Sequence, residues 1–137
     1  MDRKIKVYLA VPIVNYYNRE LTLVLGEILE ELGFEITSPW VLSGKDIDLP
    51  PENIFERDIG KVKVSDILLA EISSPSHGVG MEVMQAYISN KKIIMIARKD
   101  SILSSLLVGV PNATIIRYKD YEDLRGKLRK ILKEVER

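Results

Sequence analysis

Short, almost fully apolar runs alternate along the chain with longer stretches whose apolar residues recur at helical spacing. The apolar runs predict five strands, at residues 4–10, 34–37, 66–72, 92–98 and 113–118. The amphipathic stretches predict helices that begin near Leu21, Pro50, Met81, Ser101 and Asp120. This order is typical of an α/β fold with an open parallel sheet. We therefore predict one doubly wound, flavodoxin-like or Rossmann-like domain over residues 1–137, with a five-stranded parallel sheet and helices on both faces.

Charge and hydropathy exclude several classes of function. Lys plus Arg number 20 and Asp plus Glu also number 20, so the net charge gives no general attraction for nucleic acid or a membrane surface. Hydrophobic residues make up 46% of the chain, which excludes a disordered protein. No apolar run has the length of a membrane span, and residues 1–14 predict a strand rather than a signal peptide. The expected location is the cytoplasm.

The chain contains no cysteine and a single histidine, His77. A disulfide scaffold, a cysteine nucleophile and a zinc site of the usual kinds are therefore not expected. Carboxylates remain as the natural groups for acid–base or nucleophilic chemistry.

Residues 71–82, EISSPSHGVGME, carry the strongest local signal, because they connect a predicted buried strand to a predicted helix. Gly78 and Gly80 allow close approach to the backbone, and a helix N-terminus suits a phosphate. Ser76 adds a hydroxyl donor. The segment lacks the Gly-Lys-Ser/Thr of a Walker loop, and a plain tight turn is the alternative interpretation.

Four further side chains each allow two interpretations. Glu82 is either an acidic residue that compensates the helix dipole or a nucleophile, and Asp58 is either an exposed helix acid or a second catalytic carboxylate. Two carboxyl groups about 5–5.5 Å apart would suit double displacement at an anomeric carbon. Tyr8 is either a core aromatic or a hydrogen-bond partner of a carboxylate. Trp40 is either a core residue or a stacking platform for a flat ring.

Several segments together resemble the nucleoside 2-deoxyribosyltransferase superfamily, and within it the 2'-deoxynucleoside 5'-monophosphate N-hydrolases. The segments are VYL at 7–9, Arg57-Asp58, SDILLAE at 65–71 and PSHGVGME at 75–82. The similarity runs from Lys4 to the last predicted strand, and the part from Asp58 to Glu82 is its specific portion.

The resemblance implies a role for each catalytic candidate. Glu82 matches the nucleophile that attacks the deoxyribose anomeric carbon and forms a glycosyl-enzyme. Asp58 matches the acid/base that assists the departing base and then the incoming water, and Tyr8 matches the tyrosine that orients the nucleophile. The implied reaction needs no cofactor and no metal.

The resemblance also implies how the nucleotide is held. Ser76 matches a serine that contacts the 5'-phosphate, and Ser104 matches a phosphate-binding serine donated by the neighbouring subunit. We therefore expect a homodimer with shared active sites. Transferases typically carry Asp at the place of Ser76. Because an Asp would repel a phosphate dianion and a Ser can donate to it, Ser76 favours a nucleotide substrate.

One departure concerns the phosphate. The hydrolases usually place Ser and Arg in the loop after the first strand, where this chain has Pro12 and Val14. The arginine that would bind the phosphate with two hydrogen bonds is therefore absent from this loop. Arg19 and His77 are the alternative ligands for the phosphate.

We therefore predict an N-glycosidase that hydrolyses 2'-deoxynucleoside 5'-monophosphates. The alternatives are a transferase, in which a second base resolves the intermediate, and a nucleotide-binding module without turnover. Trp40 and the loop at residues 38–49 are expected to contribute to the base pocket. The sequence indicates no preference between purines and pyrimidines.

Overall fold

The structure is a computed structural model that describes residues 3–44 and 48–135. Strands and helices alternate as the sequence predicts. The strands are β1 (Lys6–Ala10), β2 (Glu35–Ile36), β3 (Ile67–Glu71), β4 (Lys92–Arg98) and β5 (Thr114–Tyr118). The helices are α1 (Arg19–Glu31), α2 (Pro51–Val64), α3 (His77–Ile88), α4 (Ser105–Val108) and α5 (Tyr121–Lys133), with a 3-10 helix at Pro39–Leu42. Within the described residues, no helix is both long and apolar enough to cross a bilayer.

The five strands form one sheet in the order β2-β1-β3-β4-β5, and every neighbouring pair is parallel. The predicted five-stranded parallel sheet is therefore confirmed. β1 and β3 lie side by side although they are distant in the chain, and Tyr8 pairs with Leu68 in their register. Because all strands run the same way, their carboxyl ends and the loops that follow them lie at one edge of the sheet.

The helices cover both faces of the sheet, as predicted. One face packs on α1 and α5, where Leu25 and Leu128 belong to one apolar cluster with Leu9 of β1. The other face packs on α2 and α3, where Val62 and Val83 share a second cluster with Tyr8. Since successive strand side chains point to opposite faces, Tyr8 is directed toward α2 and α3.

Helix α3 begins at His77, four residues before the predicted start at Met81. The reason is a local cap: the Ser76 hydroxyl accepts a hydrogen bond from the backbone N–H of Val79 at 3.3 Å. The predicted turn at residues 73–80 therefore ends at Ser76, and Gly78 and Gly80 lie in the first helical turn. The short helix predicted from Ser101 starts later than predicted, at Ser105.

Ser38 extends the edge of the sheet beyond the two residues of β2. Its buried hydroxyl accepts a hydrogen bond from Leu9 N–H at 2.9 Å and donates one to Leu9 C=O at 2.8 Å. These bonds attach the start of the Pro39–Leu42 helix to β1, so Trp40 lies beside the carboxyl end of β1. The predicted loop at residues 38–49 falls partly on residues 45–47, which lie outside the described residues.

We expect Ser38→Ala to lower the free energy of unfolding by about 1–3 kcal/mol, because both polar groups of buried Leu9 lose their partner. Urea denaturation followed by far-UV circular dichroism measures this change. Ser43→Ala is the matched control, since the exposed Ser43 hydroxyl donates to Trp40 C=O at 2.9 Å. We expect Ser43→Ala to lower the free energy of unfolding by less than about 0.5 kcal/mol. An equal loss in both variants would contradict the role given to Ser38.

Candidate active site

A buried hydrogen bond joins β1 to α3. The Tyr8 hydroxyl donates to Oε2 of Glu82. Tyr8 is 1% exposed and Glu82 is 9% exposed. Tyr8 thus combines the two roles that the sequence left open, since it belongs to the core and its phenol binds a carboxylate. A buried carboxylate requires such a donor, because an unpaired charge would be costly to desolvate.

Glu82 lies in the second turn of α3, because the helix starts at His77. The first turn of α3 holds no acidic residue. The helix dipole acts mainly within the first turn, so dipole compensation does not account for Glu82. The nucleophile is the interpretation of Glu82 that its burial and its bond to Tyr8 favour.

The pKa of the Tyr8 phenol is raised above its ordinary value. Burial is the largest cause, followed by the charge of Glu82, the hydrogen bond to it and the charge of Asp58; the charge of Arg57 acts in the opposite direction. The phenol therefore stays protonated at neutral pH and remains a donor.

Asp58 is held on α2 by its neighbour. Arg57 Nε donates to Asp58 Oδ1 at 2.8 Å, and the two side chains are 21% and 20% exposed. The Arg57 guanidinium carbon lies 3.7 Å from the centroid of the Trp40 ring. Trp40 in turn meets Tyr8 edge to face, with ring centroids 6.1 Å apart. Tyr8, Trp40, Arg57, Asp58 and Glu82 thus form one contiguous group, which we call the carboxylate cluster.

Arg57 is the member of this cluster whose role the sequence did not predict. It appeared there only as the residue before Asp58 in a motif. Adjacent residues on a helix do not normally face each other, so helical spacing gives no signal for this ion pair. Arg57 also contacts Trp40, which lies in a different segment of the chain.

The predicted phosphate-binding residues lie around the start of α3. The first N–H groups of a helix have no partner within it, and they lie here beside the Ser76 hydroxyl. A Cβ added at Gly78 or Gly80 would meet no atom within 4 Å, so the space over this turn is open. Ser76 and Gly80 line a groove of about 1020 Å³, and Ser104 of the same chain lines its other side. Neither Tyr8 nor Glu82 is part of the groove lining.

The loop after β1 lacks its expected arginine, and the structure places Arg98 nearby. Val14 is 93% exposed. Arg98, at the end of β4, lines a small cavity together with Pro12, Ser73 and Ser74. Of the two alternatives, His77 lines the groove beside Ser76, whereas Arg19 begins α1 on the surface. The structure thus adds Arg98 to the cations near the strand ends.

A second buried carboxylate lies on the opposite face of the sheet. Glu71, at the end of β3, accepts hydrogen bonds from the Ser73 N–H and from the Tyr118 hydroxyl, the latter at 2.6 Å. Burial and the bond to Glu71 raise the pKa of Tyr118. This pair fastens the loop after β3 to β5. Within residues 3–44 and 48–135, no three His, Cys, Asp or Glu side chains are grouped so that they could hold a metal ion.

Comparison with known proteins connects this geometry to a family. Residues 7–114 match the family described as nucleoside 2-deoxyribosyltransferase. A protein of Thermofilum pendens named "Putative 2'-deoxynucleoside 5'-phosphate N-hydrolase 1" is 30% identical, over 93% of this chain and 94% of its own. A 5-hydroxymethyl-dUMP N-hydrolase of Danio rerio is 33% identical, over 51% of this chain and 50% of its own.

Among solved structures, a CMP N-glycosidase of Clostridium botulinum superposes with a TM-score of 0.71 and 25% identity, over 92% of this chain and 98% of the other. The family match spans all five residues that the fold brings together in the carboxylate cluster. The resemblance seen in the sequence is confirmed, and the chain belongs to the nucleoside 2-deoxyribosyltransferase family.

Proposed function

We propose that the protein hydrolyses the N-glycosidic bond of 2'-deoxynucleoside 5'-monophosphates and releases a free nucleobase and deoxyribose 5-phosphate. The observation that carries this proposal is the buried Tyr8–Glu82 hydrogen bond, to which Asp58 is connected through its contact with Arg57 and the packing of Arg57 on Trp40 and of Trp40 on Tyr8. The names of the relatives support the reaction class, since they are called N-hydrolases and an N-glycosidase.

In the first step, a Glu82 carboxylate oxygen attacks C1' of the deoxyribose while the C1'–N bond breaks. The electron pair of that bond goes to the base nitrogen, and Asp58 supplies the proton that the departing base takes up. Tyr8 donates its hydrogen bond to Oε2 of Glu82 and so fixes the rotation of the carboxylate. The product of this step is a deoxyribosyl ester of Glu82.

In the second step, water replaces the base. Asp58, now deprotonated, takes a proton from the water while the water oxygen attacks C1' and the bond to Glu82 breaks. Two displacements at one carbon restore the starting configuration, and both carboxyl groups return to their initial states.

The start of α3 supports a phosphorylated substrate. Open space over Gly78 and Gly80, free helix N-terminal amides and the Ser76 hydroxyl together suit a dianion. A serine hydroxyl can donate to a phosphate while it accepts from Val79 N–H, because it has both functions.

Substitutions in the carboxylate cluster test the catalytic roles. Because a hydrogen bond to a charged group contributes about 1.5–3 kcal/mol, Tyr8→Phe is expected to lower kcat about 10- to 150-fold. Glu82→Ala is expected to abolish base release. The matched control is Tyr121→Phe, because Tyr121 packs on the α1/α5 face of the sheet. Base release is followed by chromatography, and unchanged turnover in Glu82→Ala would refute the covalent mechanism.

A substrate panel tests the specificity. We expect 2'-deoxynucleoside monophosphates to react with a kcat/KM at least about 10-fold above that of the unphosphorylated deoxynucleosides, because one charge-assisted hydrogen bond contributes that much. Ribonucleoside monophosphates complete the panel, since one neighbour acts on CMP by name. A preference for unphosphorylated compounds would contradict the role of Ser76. Rapid exchange between two bases without net hydrolysis would favour the transferase, and binding without release would favour the nucleotide-binding module.

We also propose a homodimer with shared sites. Exposed apolar side chains of α3 and of the segment before and within α4 border the groove that holds Ser76 and Ser104: Met81, Met84, Tyr87, Ile102 and Leu106. A contiguous apolar surface of this kind is typical of an interface. A second copy that covers it would bring its own Ser104 toward the site of the first copy.

Mixing two inactive variants tests this arrangement. In a shared-site dimer, mixing Glu82→Ala with Ser104→Ala chains creates one intact site in each heterodimer, so activity rises to about a quarter of wild type. Base release is measured at a subsaturating nucleotide concentration after the chains have exchanged. Activity equal to the mean of the two separate variants would show that Ser104 serves its own chain. A monomeric mass by light scattering would exclude the dimer.

A further inference from the structure

The ion pair between Arg57 and Asp58 joins two consecutive residues of one helix. Consecutive side chains on an α-helix point about 100° apart and do not normally meet. Here Arg57 Nε nevertheless lies 2.8 Å from Asp58 Oδ1. The arginine side chain must therefore bend across the helix surface, and some contact outside α2 must hold it there.

Trp40 provides that contact. The guanidinium carbon lies over the ring, 3.7 Å from its centroid, which is well within the distance at which a cation is attracted to an indole face. Trp40 is itself fixed, because it meets Tyr8 edge to face and follows Ser38, whose hydroxyl is bonded to β1. The ring of Trp40 is thus a rigid surface on which the guanidinium packs.

We infer that Arg57 is a positioning residue that orients the Asp58 carboxyl group for proton transfer to the departing base, and that the Trp40 ring holds the guanidinium in place. The ring face under Arg57 is then not available for stacking on a nucleobase. This inference deepens the proposed function and rests on it. It gives Trp40 a role in the acid/base step. Its position after β2 had suggested a different role, as a platform on which a flat ring stacks.

The chemistry predicts which step depends on Arg57. Asp58 gives its proton to the base as the C1'–N bond breaks, so its orientation matters most when the base is a poor leaving group. A base that leaves as a neutral molecule without a proton needs no such help. N7-methylguanine leaves in this way, and 5-nitrouracil leaves far more readily than uracil because its anion is stabilised.

The experiment compares such a pair of substrates in Arg57→Met, which keeps an apolar side chain on Trp40 and removes the charge and the Nε donor. The pair is dGMP with N7-methyl-dGMP, or dUMP with 5-nitro-dUMP, according to the ring system that the wild type accepts. We expect kcat to fall about 10- to 100-fold for the unactivated nucleotide and less than about 3-fold for the activated one. Asp58→Asn should show the same asymmetry. Arg57→Lys should not restore the rate, because an ammonium cannot reproduce the planar contact and the Nε bond together.

Arg125→Met is the matched control. It removes an arginine whose Nη2 donates to Glu27 at 2.9 Å between α5 and α1, on the other face of the sheet. Both substrates should keep their wild-type kcat in this variant. An equal loss on both substrates in Arg57→Met, or no loss on either, would overturn the inference.

Trp40 supplies a readout that does not need turnover, because it is the single tryptophan of the chain. Its fluorescence emission should change in Arg57→Met and remain unchanged in Arg125→Met. An unchanged emission in Arg57→Met would show that the Arg57 guanidinium does not contact the Trp40 ring. If the wild-type protein does not release a base from any nucleotide, the proposed function fails. The emission measurement still tests whether Arg57 packs on Trp40.

Discussion

The hydrogen bond between Tyr8 and Glu82 is the interaction on which the site depends. It connects the second residue of the central β1–β3 pairing to the second turn of α3. A carboxylate at this depth would be unstable without a donor, because desolvation of an unpaired charge costs several kcal/mol. The phenol supplies the donor, and burial together with the neighbouring charges keeps it protonated. The bond therefore makes it possible to bury a charged carboxylate.

The parallel sheet explains how residues so distant in the sequence meet. In the order β2-β1-β3-β4-β5, β1 and β3 are adjacent, and each is followed by a loop at the same edge. β1 supplies Tyr8, the connection after β2 supplies Trp40, α2 supplies Arg57 and Asp58, and α3 supplies Glu82. Strand β1 and two consecutive crossover connections, β2 to β3 and β3 to β4, thus contribute to one face of the sheet, and α1 and α5 cover the other face.

Much of this arrangement could be predicted from the sequence. The periodicity predicted the α/β order and the five parallel strands, and the motif around Glu82 indicated the family. The start of α3 was misplaced because the cap depends on the side-chain rotamer of Ser76, which spacing alone does not reveal. The role of Arg57 was missed for a different reason: its contacts with Trp40 and Asp58 are a product of tertiary packing. The distance between the carboxyl groups of Asp58 and Glu82 stays a prediction.

The sheet carries two buried carboxylates, each bonded to a buried tyrosine, and their surroundings distinguish them. Glu71 accepts from Tyr118 on one oxygen and from the Ser73 backbone on the other, so both of its oxygens are engaged by groups that hold the loop after β3. Asp58 as well as Glu82 raises the pKa of Tyr8, whereas the carboxylate that raises the pKa of Tyr118 is Glu71. The proposed double displacement uses a second carboxyl group beside the nucleophile, and Asp58 is the candidate for that group near Glu82. Glu71 holds the loop after β3, which leads to Ser76 at the start of α3.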